Sequence, residues 1–257
     1  MTDFSTLAVH GGYNANRNDD AVSVPIYASA AFDLENAARG RDLAAGEISG
    51  FEYSRVANPT VDALERRLAA LEGGVGAVAV SSGMAAVSYA LMCAGEGGGR
   101  IIAPTNLYGA SVDALGDFLP QFGIHADFVK DINDLHEIES LIGPATRAIF
   151  AETVANPNTA ITDIRPLADL AHRHGLALIL DNTVPTPYLP APDPNSDAAH
   201  VVHSTTKGIT GHGNAIGGVI VDAGQFDWAN GRFLQFTRPE QVIADIDGNR
   251  RSFSGAL

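Results

Sequence analysis

The sequence is poor in lysine and cysteine, and it has no apolar run long enough to cross a membrane. Only two of its 257 residues are lysines, Lys130 and Lys207, whereas fourteen are arginines. The single cysteine, Cys93, excludes an intrachain disulfide and is typical of a reducing compartment. The longest apolar stretches have the length of a strand, so we expect no transmembrane helix. Because the first residues also lack the basic start and apolar centre of a secretory signal, we expect a cytoplasmic protein.

Positive charge is scarce as well. Thirty acidic residues outnumber sixteen basic ones and give a formal net charge of −14, which disfavours binding to the phosphates of nucleic acids. By contrast, 46% of the residues are hydrophobic and 18% are charged, as in compact folded proteins. A chain of 257 residues can also bury a substantial core. The composition therefore indicates a compact folded protein with no nucleic-acid partner.

Short apolar segments alternate with helix-like segments through the middle of the chain. The apolar segments are strand-like and cover residues 76–80, 100–104, 147–152, 176–181, 199–204 and 215–222. Continuous apolar strands separated by helices indicate a mostly parallel sheet covered on both faces, which is an α/β fold. Sheets of this kind bind ligands at the carboxyl ends of their strands.

The two ends of the chain carry weaker patterns. The first sixty residues have no clear hydrophobic period and are rich in turn-forming residues, which predicts an extended arm. A helix is predicted to start near Pro59, with Leu64, Leu68 and Leu71 on one face. The last twenty residues show no strong element.

Polar or small residues follow four of the predicted strands. The turn SSGMAA (81–86) opens a helix whose first amides could bind an anion, although a plain serine cap explains it equally well. Asn156, before a proline, is most simply a turn residue. Asp181 ends an apolar strand, where a carboxylate is costly unless it meets a cation or a strong donor. A helix cap is the alternative for Asp181, but the prolines that follow argue against a helix there. Lys207 comes just after the strand at 199–204, among hydroxyls and glycines.

Together these features match what pyridoxal 5′-phosphate (PLP) requires of a protein. The cofactor needs an amine for its aldehyde, an anion site for its phosphate and an acidic partner for its ring nitrogen. Lys207 supplies the amine and Asp181 supplies the acid. The phosphate site is predicted from the amides of Gly83 and Met84, with the hydroxyls of Ser204 and Thr206 as further donors.

Other cofactor chemistries fit the sequence less well. The segment GGVGAVA holds a partial dinucleotide fingerprint, but it follows a helix and opens a strand, which is the reverse of the required order. His172 and His174 are two residues apart and lie on different faces of a helix, so we predict no metal site. Cys93, in an apolar helix, is most simply a core residue.

Seven motifs extend in a fixed order over most of the chain, between Leu7 and Pro239. They are YSRVANPT (53–60), LEGG (71–74), SSGMAA (81–86), NLYGAS (106–111), AETVANPN (151–158), DNTVPTPYL (181–189) and HSTTKGITGHG (203–213). This set resembles the Cys/Met-metabolism family of PLP-dependent enzymes. The segment GHGNAIGGVIVDAGQFDWANGRF (211–233) is most similar to the O-acetylhomoserine sulfhydrylase branch of that family.

The resemblance implies an architecture and an assembly. The fold would be that of the aspartate-aminotransferase-like (type I) PLP enzymes, with residues 1–60 as an N-terminal arm and active-site loop and residues 61–257 as the PLP-binding α/β domain. The small C-terminal domain of the family, with its substrate-binding arginine, would be absent from this chain. Tyr53 and Arg55 would reach the cofactor phosphate of a neighbouring subunit, which implies a homodimer or homotetramer.

The resemblance also assigns individual roles. Lys207 would bind the cofactor aldehyde covalently and act as general base. Asp181 would pair with the pyridine nitrogen, Asn156 would contact the ring hydroxyl, and Tyr108 would stack on the ring and assist proton transfer. Gly83, Met84, Ser204 and Thr206 would hold the phosphate.

The reaction implied is γ-replacement on O-acetyl-L-homoserine. Sulfide or a thiol would replace acetate and give homocysteine or methionine. A cystathionine γ-synthase, a γ-lyase or a methionine γ-lyase on the same scaffold is the alternative, and Ala110 disfavours the methionine lyase because a cysteine is expected there. An alternative of another class is a truncated remnant that folds without catalysing the reaction.

Overall fold

The computed structural model describes residues 3–189 and 198–237, together with the backbone of two short strands nearer the carboxyl end. The α-helices are α1 Phe4–His10, α2 Ala37–Ala44, α3 Pro59–Glu72, α4 Gly83–Gly95, α5 Gly109–Asp113, α6 Leu135–Leu141, α7 Ile164–Arg173 and α8 Leu234–Thr237. The strands are β1 Gly76–Val80, β2 Gly99–Pro104, β3 Ile124–Val129, β4 Thr146–Glu152, β5 Ala177–Asp181, β6 His200–His203, β7 Gly218–Asp222, β8 Pro239–Ala244 and β9 Arg250–Ser252. In the described ranges, no helix has both the length and the apolar character that crossing a bilayer requires.

Seven strands form one sheet in the order β1-β7-β6-β5-β4-β2-β3. Strand β7 is antiparallel to both of its neighbours, and the other neighbouring strands pair in parallel. The predicted mostly parallel α/β sheet is therefore confirmed. The edge strand β3 was not predicted, because His125 and Asp127 interrupt its apolar run and only its end residues, Ile124 and Val129, are buried.

The core consists of two apolar layers, one on each face of the sheet. Ile102, Ile149 and Leu178 point to one face, where they pack with the buried side of α7. Their neighbours in the strands, such as Ile101 and Phe150, point to the other face and pack against α4. Because side chains alternate along a strand, a sheet covered by helices on both faces needs the continuous apolar strands seen in the sequence.

Helix α3 begins and ends where its sequence predicts. The side chain of Asn58 accepts a hydrogen bond from the Thr60 amide at 2.9 Å, and Gly73 ends the helix with φ of 71°. The prediction of its apolar face was partly wrong, because Leu68 is buried whereas Leu64 is 41% exposed.

The N-terminal segment is mostly irregular, as predicted, but it also contains α1 and α2. It is tied to α3 by long-range hydrogen bonds: Arg67 donates to the Gly11 carbonyl at 2.8 Å, and the Tyr27 amide donates to the Thr60 hydroxyl at 2.9 Å. These two hydrogen bonds place the N-terminal segment against the α/β domain.

At the other end of the chain, β8 and β9 form a two-stranded antiparallel sheet where no element was predicted.

Candidate active site at the carboxyl edge of the sheet

A pocket of about 260 Å³ lies at the carboxyl ends of the parallel strands. Eight of its lining residues were predicted from the sequence: Gly83, Met84, Tyr108, Asn156, Asp181, Ser204, Thr206 and Lys207. The remaining lining residues were not: Ser82, Val87, Glu152, Val154, Thr183, Val184 and Ile216. The structure therefore brings together predicted residues that are up to 124 positions apart, because parallel strands end at one edge of the sheet.

One wall of the pocket is the start of α4. The Ser82 side chain accepts a hydrogen bond from the Ala85 amide at 3.1 Å, so the serine cap considered for this turn is present. The first amides of an α-helix have no partner within the helix, and the helix dipole places positive charge at the same end. Gly83 allows this turn to approach β6, since a Cβ atom at Gly83 would lie 2.5 Å from the Ser204 Cβ. The N-terminus of α4 is thus held close to Ser204.

Asp181 lies at the end of β5, where it lines the pocket. Its carboxylate accepts a hydrogen bond from the Thr183 amide at 2.9 Å. Burial raises the pKa of Asp181 above its ordinary value, although hydrogen bonds from Thr183 and the charge of His203 act in the opposite direction. A cationic partner in the pocket would offset this cost of burial.

Glu152 ends β4 and pairs in register with Asp181 on β5. It is 5% exposed, and its two carboxylate oxygens accept hydrogen bonds from the Tyr108 amide at 2.6 Å and the Asn156 amide at 2.7 Å. Burial raises its pKa, and the charge of Asp181 adds to the increase. Sequence reasoning missed Glu152, although it ends an apolar strand in the same way as Asp181.

Lys207 lies in the loop that connects β6 with β7. The loop is held by backbone hydrogen bonds, including one from the Gly211 amide to the Lys207 carbonyl at 2.8 Å. The Thr206 hydroxyl donates to the Gly217 carbonyl at 3.2 Å and accepts from the Gly217 amide at 3.1 Å. Thr206 therefore lines the pocket with a hydroxyl that is already engaged with the backbone, whereas Lys207 is exposed at the pocket.

Tyr53 and Arg55 do not line this pocket. Tyr53 is 42% exposed, and the Arg55 guanidinium carbon lies 5.2 Å from the centre of the Tyr53 ring. Both residues belong to the segment before α3. Their predicted role in a neighbouring subunit's site remains a prediction.

The donor set of the pocket fits PLP. It combines an amine, a carboxylate in a partly buried position and the amino-terminal turn of a thirteen-residue helix. Pockets of this composition on a mostly parallel α/β sheet define the class of PLP-dependent α/β enzymes. Within that class, the chain belongs to the Cys/Met metabolism PLP-dependent enzyme family, which matches residues 5–244. The resemblance inferred from the seven motifs is confirmed.

Known relatives agree with this assignment. The chain is 40% identical to an O-acetyl-L-homoserine sulfhydrylase of Leptospira meyeri over 91% of its own length and 53% of the relative's. It is 42% identical to an L-methionine gamma-lyase of Pseudomonas deceptionensis over 85% of its length and 54% of the relative's. A crystal structure assigned to an O-acetylhomoserine (thiol)-lyase of Campylobacter jejuni superposes on the whole chain and 63% of that protein, with a TM-score of 0.91 and 34% identity.

The Campylobacter jejuni structure carries N′-pyridoxyl-lysine-5′-monophosphate, which is PLP joined to a lysine. PLP is thus the cofactor of the family to which the chain belongs. The chain spans about half the length of the curated relatives it matches.

Proposed function

We propose that this chain binds PLP in the pocket at the carboxyl edge of the sheet and serves γ-replacement on O-acetyl-L-homoserine. In that reaction the Cγ–O bond breaks and acetate leaves, and sulfide or a thiol forms a Cγ–S bond to give homocysteine or methionine. The observation that carries the proposal is the convergence of Lys207, Asp181 and the start of α4 on one pocket.

Lys207 is proposed to have two tasks. Its Nζ would join the aldehyde carbon of the cofactor with loss of water, and once a substrate amine has taken its place there, the free amine would remove the proton from the substrate Cα. When bound, PLP withdraws electrons from the substrate Cα and so makes that proton acidic. The exposed position of Lys207 beside the pocket supports both tasks, because its amine can reach a small molecule held there.

Asp181 is proposed to hold the protonated ring nitrogen. A pyridinium cation beside the carboxylate would replace part of the hydration that burial removes, and it would lower the pKa that burial raises. In turn, the ionised carboxylate would keep the ring nitrogen protonated.

The start of α4 is proposed to bind the phosphate. The amides of Gly83 and Met84 carry the partial positive charge of the helix terminus, and the Ser204 side chain lies against Gly83. Ser204 and Thr206 are proposed to add hydroxyl donors, and hydrogen bonds with Gly217 hold the Thr206 hydroxyl at the pocket. Met84, Val87 and Val154 add apolar surface that excludes water from the ring.

Tyr108 and Asn156 are proposed to position the ring. Tyr108 is 47% exposed and lines the pocket, so its ring can stack on that of the cofactor and its hydroxyl can pass a proton. Asn156 lies in the loop after β4, where its side-chain amide can bond to the ring hydroxyl.

The assembly and location are part of the proposal. Tyr53 and Arg55 are proposed to complete the phosphate site of a neighbouring copy in a cytoplasmic homodimer or homotetramer. Neither residue lines this chain's own pocket. Residues 1–60 are proposed as the arm that makes this contact, and residues 61–257 as the cofactor-binding domain.

A cofactor-loading experiment with two lysine variants tests the proposal. PLP is added to the purified chain, the visible band of amine-bound cofactor is recorded, and borohydride reduction with peptide mass mapping locates the attachment. Lys207→Ala is expected to abolish the band, while Lys130→Ala, which removes the chain's other lysine, leaves it unchanged. Attachment elsewhere than at Lys207 would contradict the proposal.

Product analysis then decides the reaction. O-acetyl-L-homoserine with sulfide should yield homocysteine and acetate. A 2-oxo acid with ammonia and a thiol would instead indicate the γ-lyase reaction that is named for one of the relatives. Cofactor binding without turnover would identify a remnant that retains the site but does not catalyse the reaction.

A further inference from the structure

Glu152 joins two loops that belong to different strand ends. The loop after β2 carries Tyr108 and the loop after β4 carries Asn156, and each donates its backbone N–H to a different oxygen of the Glu152 carboxylate, at 2.6 and 2.7 Å. These are short, charge-assisted hydrogen bonds. One side chain thereby fixes the distance between the two loops.

This task requires a carboxylate. Both partners are N–H donors, and an ionised carboxyl group offers two acceptor oxygens. A glutamine in the same place would offer one oxygen and one NH₂ group, and its NH₂ would face a backbone donor. An isosteric amide therefore cannot make both bonds.

Ionisation of the Glu152 carboxyl group is unfavourable at this position. Glu152 is 5% exposed and lies in register with Asp181, so burial and a neighbouring like charge both disfavour ionisation. Helix capping does not require a carboxylate here, because the two donors lie in separate loops. What the two loops share is that Tyr108 and Asn156 both line the pocket with Glu152.

We infer that Glu152 is a positioning residue that holds the Tyr108 and Asn156 loops at the spacing the bound cofactor needs. The inference rests on the proposed PLP function. Glu152 acts through the two backbone amides and takes no part in bond making.

The test compares Glu152→Gln with Glu65→Gln. Glu65 is a suitable control because it is another glutamate that accepts a backbone hydrogen bond, from the Ala79 amide at 2.8 Å, and it does not line the pocket. Hydrogen exchange of individual amides is measured by NMR in the cofactor-free chain, and the Kd for PLP is measured in parallel. In Glu152→Gln, exchange at Tyr108 or Asn156 should accelerate by about tenfold and the Kd should rise by about tenfold, as expected for the loss of one charge-assisted hydrogen bond. Glu65→Gln should change neither quantity.

The two readouts separate the inference from the function on which it rests. Unchanged exchange at both amides, or faster exchange with an unchanged Kd, would overturn the positioning role. If the wild type binds no PLP but exchange accelerates as expected, the link between the loops is real and the proposed function is wrong.

A wild-type measurement covers the case in which Glu152→Gln does not fold. The amide-proton shifts of Tyr108 and Asn156 should titrate together, with one midpoint above the ordinary carboxyl range, because burial raises the pKa of Glu152. The titration is repeated in Asp181→Asn, because this variant lacks the other carboxylate that faces Glu152. Amide shifts that do not move with pH in either protein would overturn the inference.

Discussion

The Nε2 atom of His203 lies 2.6 Å from Oε1 of Glu72, and neither side chain is more than 1% exposed. Asn182 donates to the same oxygen at 3.1 Å. Glu72 is the last residue of α3, His203 ends β6, and Asn182 directly follows Asp181 at the end of β5. This buried polar cluster therefore fixes α3 directly behind the strand ends that supply Asp181 and Ser204 to the pocket.

Removal of Glu72 should be strongly destabilising. Glu72→Ala leaves His203 and Asn182 without their shared acceptor in the interior, and leaving a buried donor unsatisfied costs about 1–3 kcal/mol of unfolding free energy. Glu139→Ala is the control, since it breaks a His–Glu contact of 3.0 Å with His174 at the surface and should change stability far less. Urea denaturation measures the unfolding free energy of both variants. Equal losses of unfolding free energy would show that the buried cluster stabilises the fold no more than the surface contact does.

Asp181→Asn should stabilise the cofactor-free chain at neutral pH. Burial raises the folded-state pKa of Asp181, so the folded protein binds its proton more tightly than the unfolded chain does. The wild type therefore loses stability as pH rises from the ordinary carboxyl range, near about 3.9, through the raised folded pKa. The asparagine variant escapes this loss and keeps the acceptor for the Thr183 amide, so it should be more stable than the wild type above that window and equally stable below it.

Denaturant titrations across the acid-to-neutral range check this difference. The exposed Asp117→Asn variant controls for the loss of one negative charge. The same Asp181→Asn protein should bind PLP more weakly than the wild type, so stability and cofactor affinity should change in opposite directions. An asparagine variant that is less stable at neutral pH would show that the carboxylate contributes favourably to the empty pocket.

Gly83→Ala should damage the start of α4 despite the better helix propensity of alanine. The added Cβ would lie 2.5 Å from the Ser204 Cβ and 2.9 Å from its Cα, and neither atom is the end of a flexible side chain. The overpacking should cost about 1–3 kcal/mol and weaken PLP binding. Gly116→Ala meets nothing within 4 Å and should be neutral or slightly stabilising. Thermal denaturation and PLP titration of the Gly83→Ala and Gly116→Ala variants measure these differences in stability and affinity.

Cys93 should react slowly with thiol reagents in the folded protein. Burial, followed by the charges of Glu96 and Asp222, raises its pKa to about 11. At pH 8 about one thiol in a thousand would be ionised, compared with roughly one in four at an ordinary cysteine pKa of about 8.5. The labelling rate with a disulfide reagent, compared between native and urea-unfolded protein, should differ by more than about a hundredfold. Similar rates in the two states would contradict this.

The sequence predicted the pocket well because its determinants are local. The strands that end at the pocket are short apolar runs, and Asp181 and Lys207 lie at or just after the ends of such runs, so parallel pairing was sufficient to bring them to one edge. Glu152 ends a strand in the same way, and the rule used for Asp181 would have found it. The edge strand β3 lacks the continuous apolar run on which the prediction depended.

Other features depend on contacts between residues that are distant in the sequence, so they could not be predicted from the local sequence pattern. Leu64 has the helical spacing of a core residue but is 41% exposed, whereas Glu72 in the same helix is buried because His203 and Asn182 meet it. For Glu72, partners far along the chain determine the outcome.

The position of the two lysines makes this chain well suited to amine-selective NMR. Lys207 lines the pocket, whereas Lys130 is exposed just beyond the edge strand β3. Reductive methylation with isotope-labelled formaldehyde would place reporters on these two side chains and on the N-terminal amine. The signal from Lys130 would serve as an internal reference, and that from Lys207 would report on non-covalent occupancy of the pocket, because a dimethylated amine no longer joins the cofactor aldehyde.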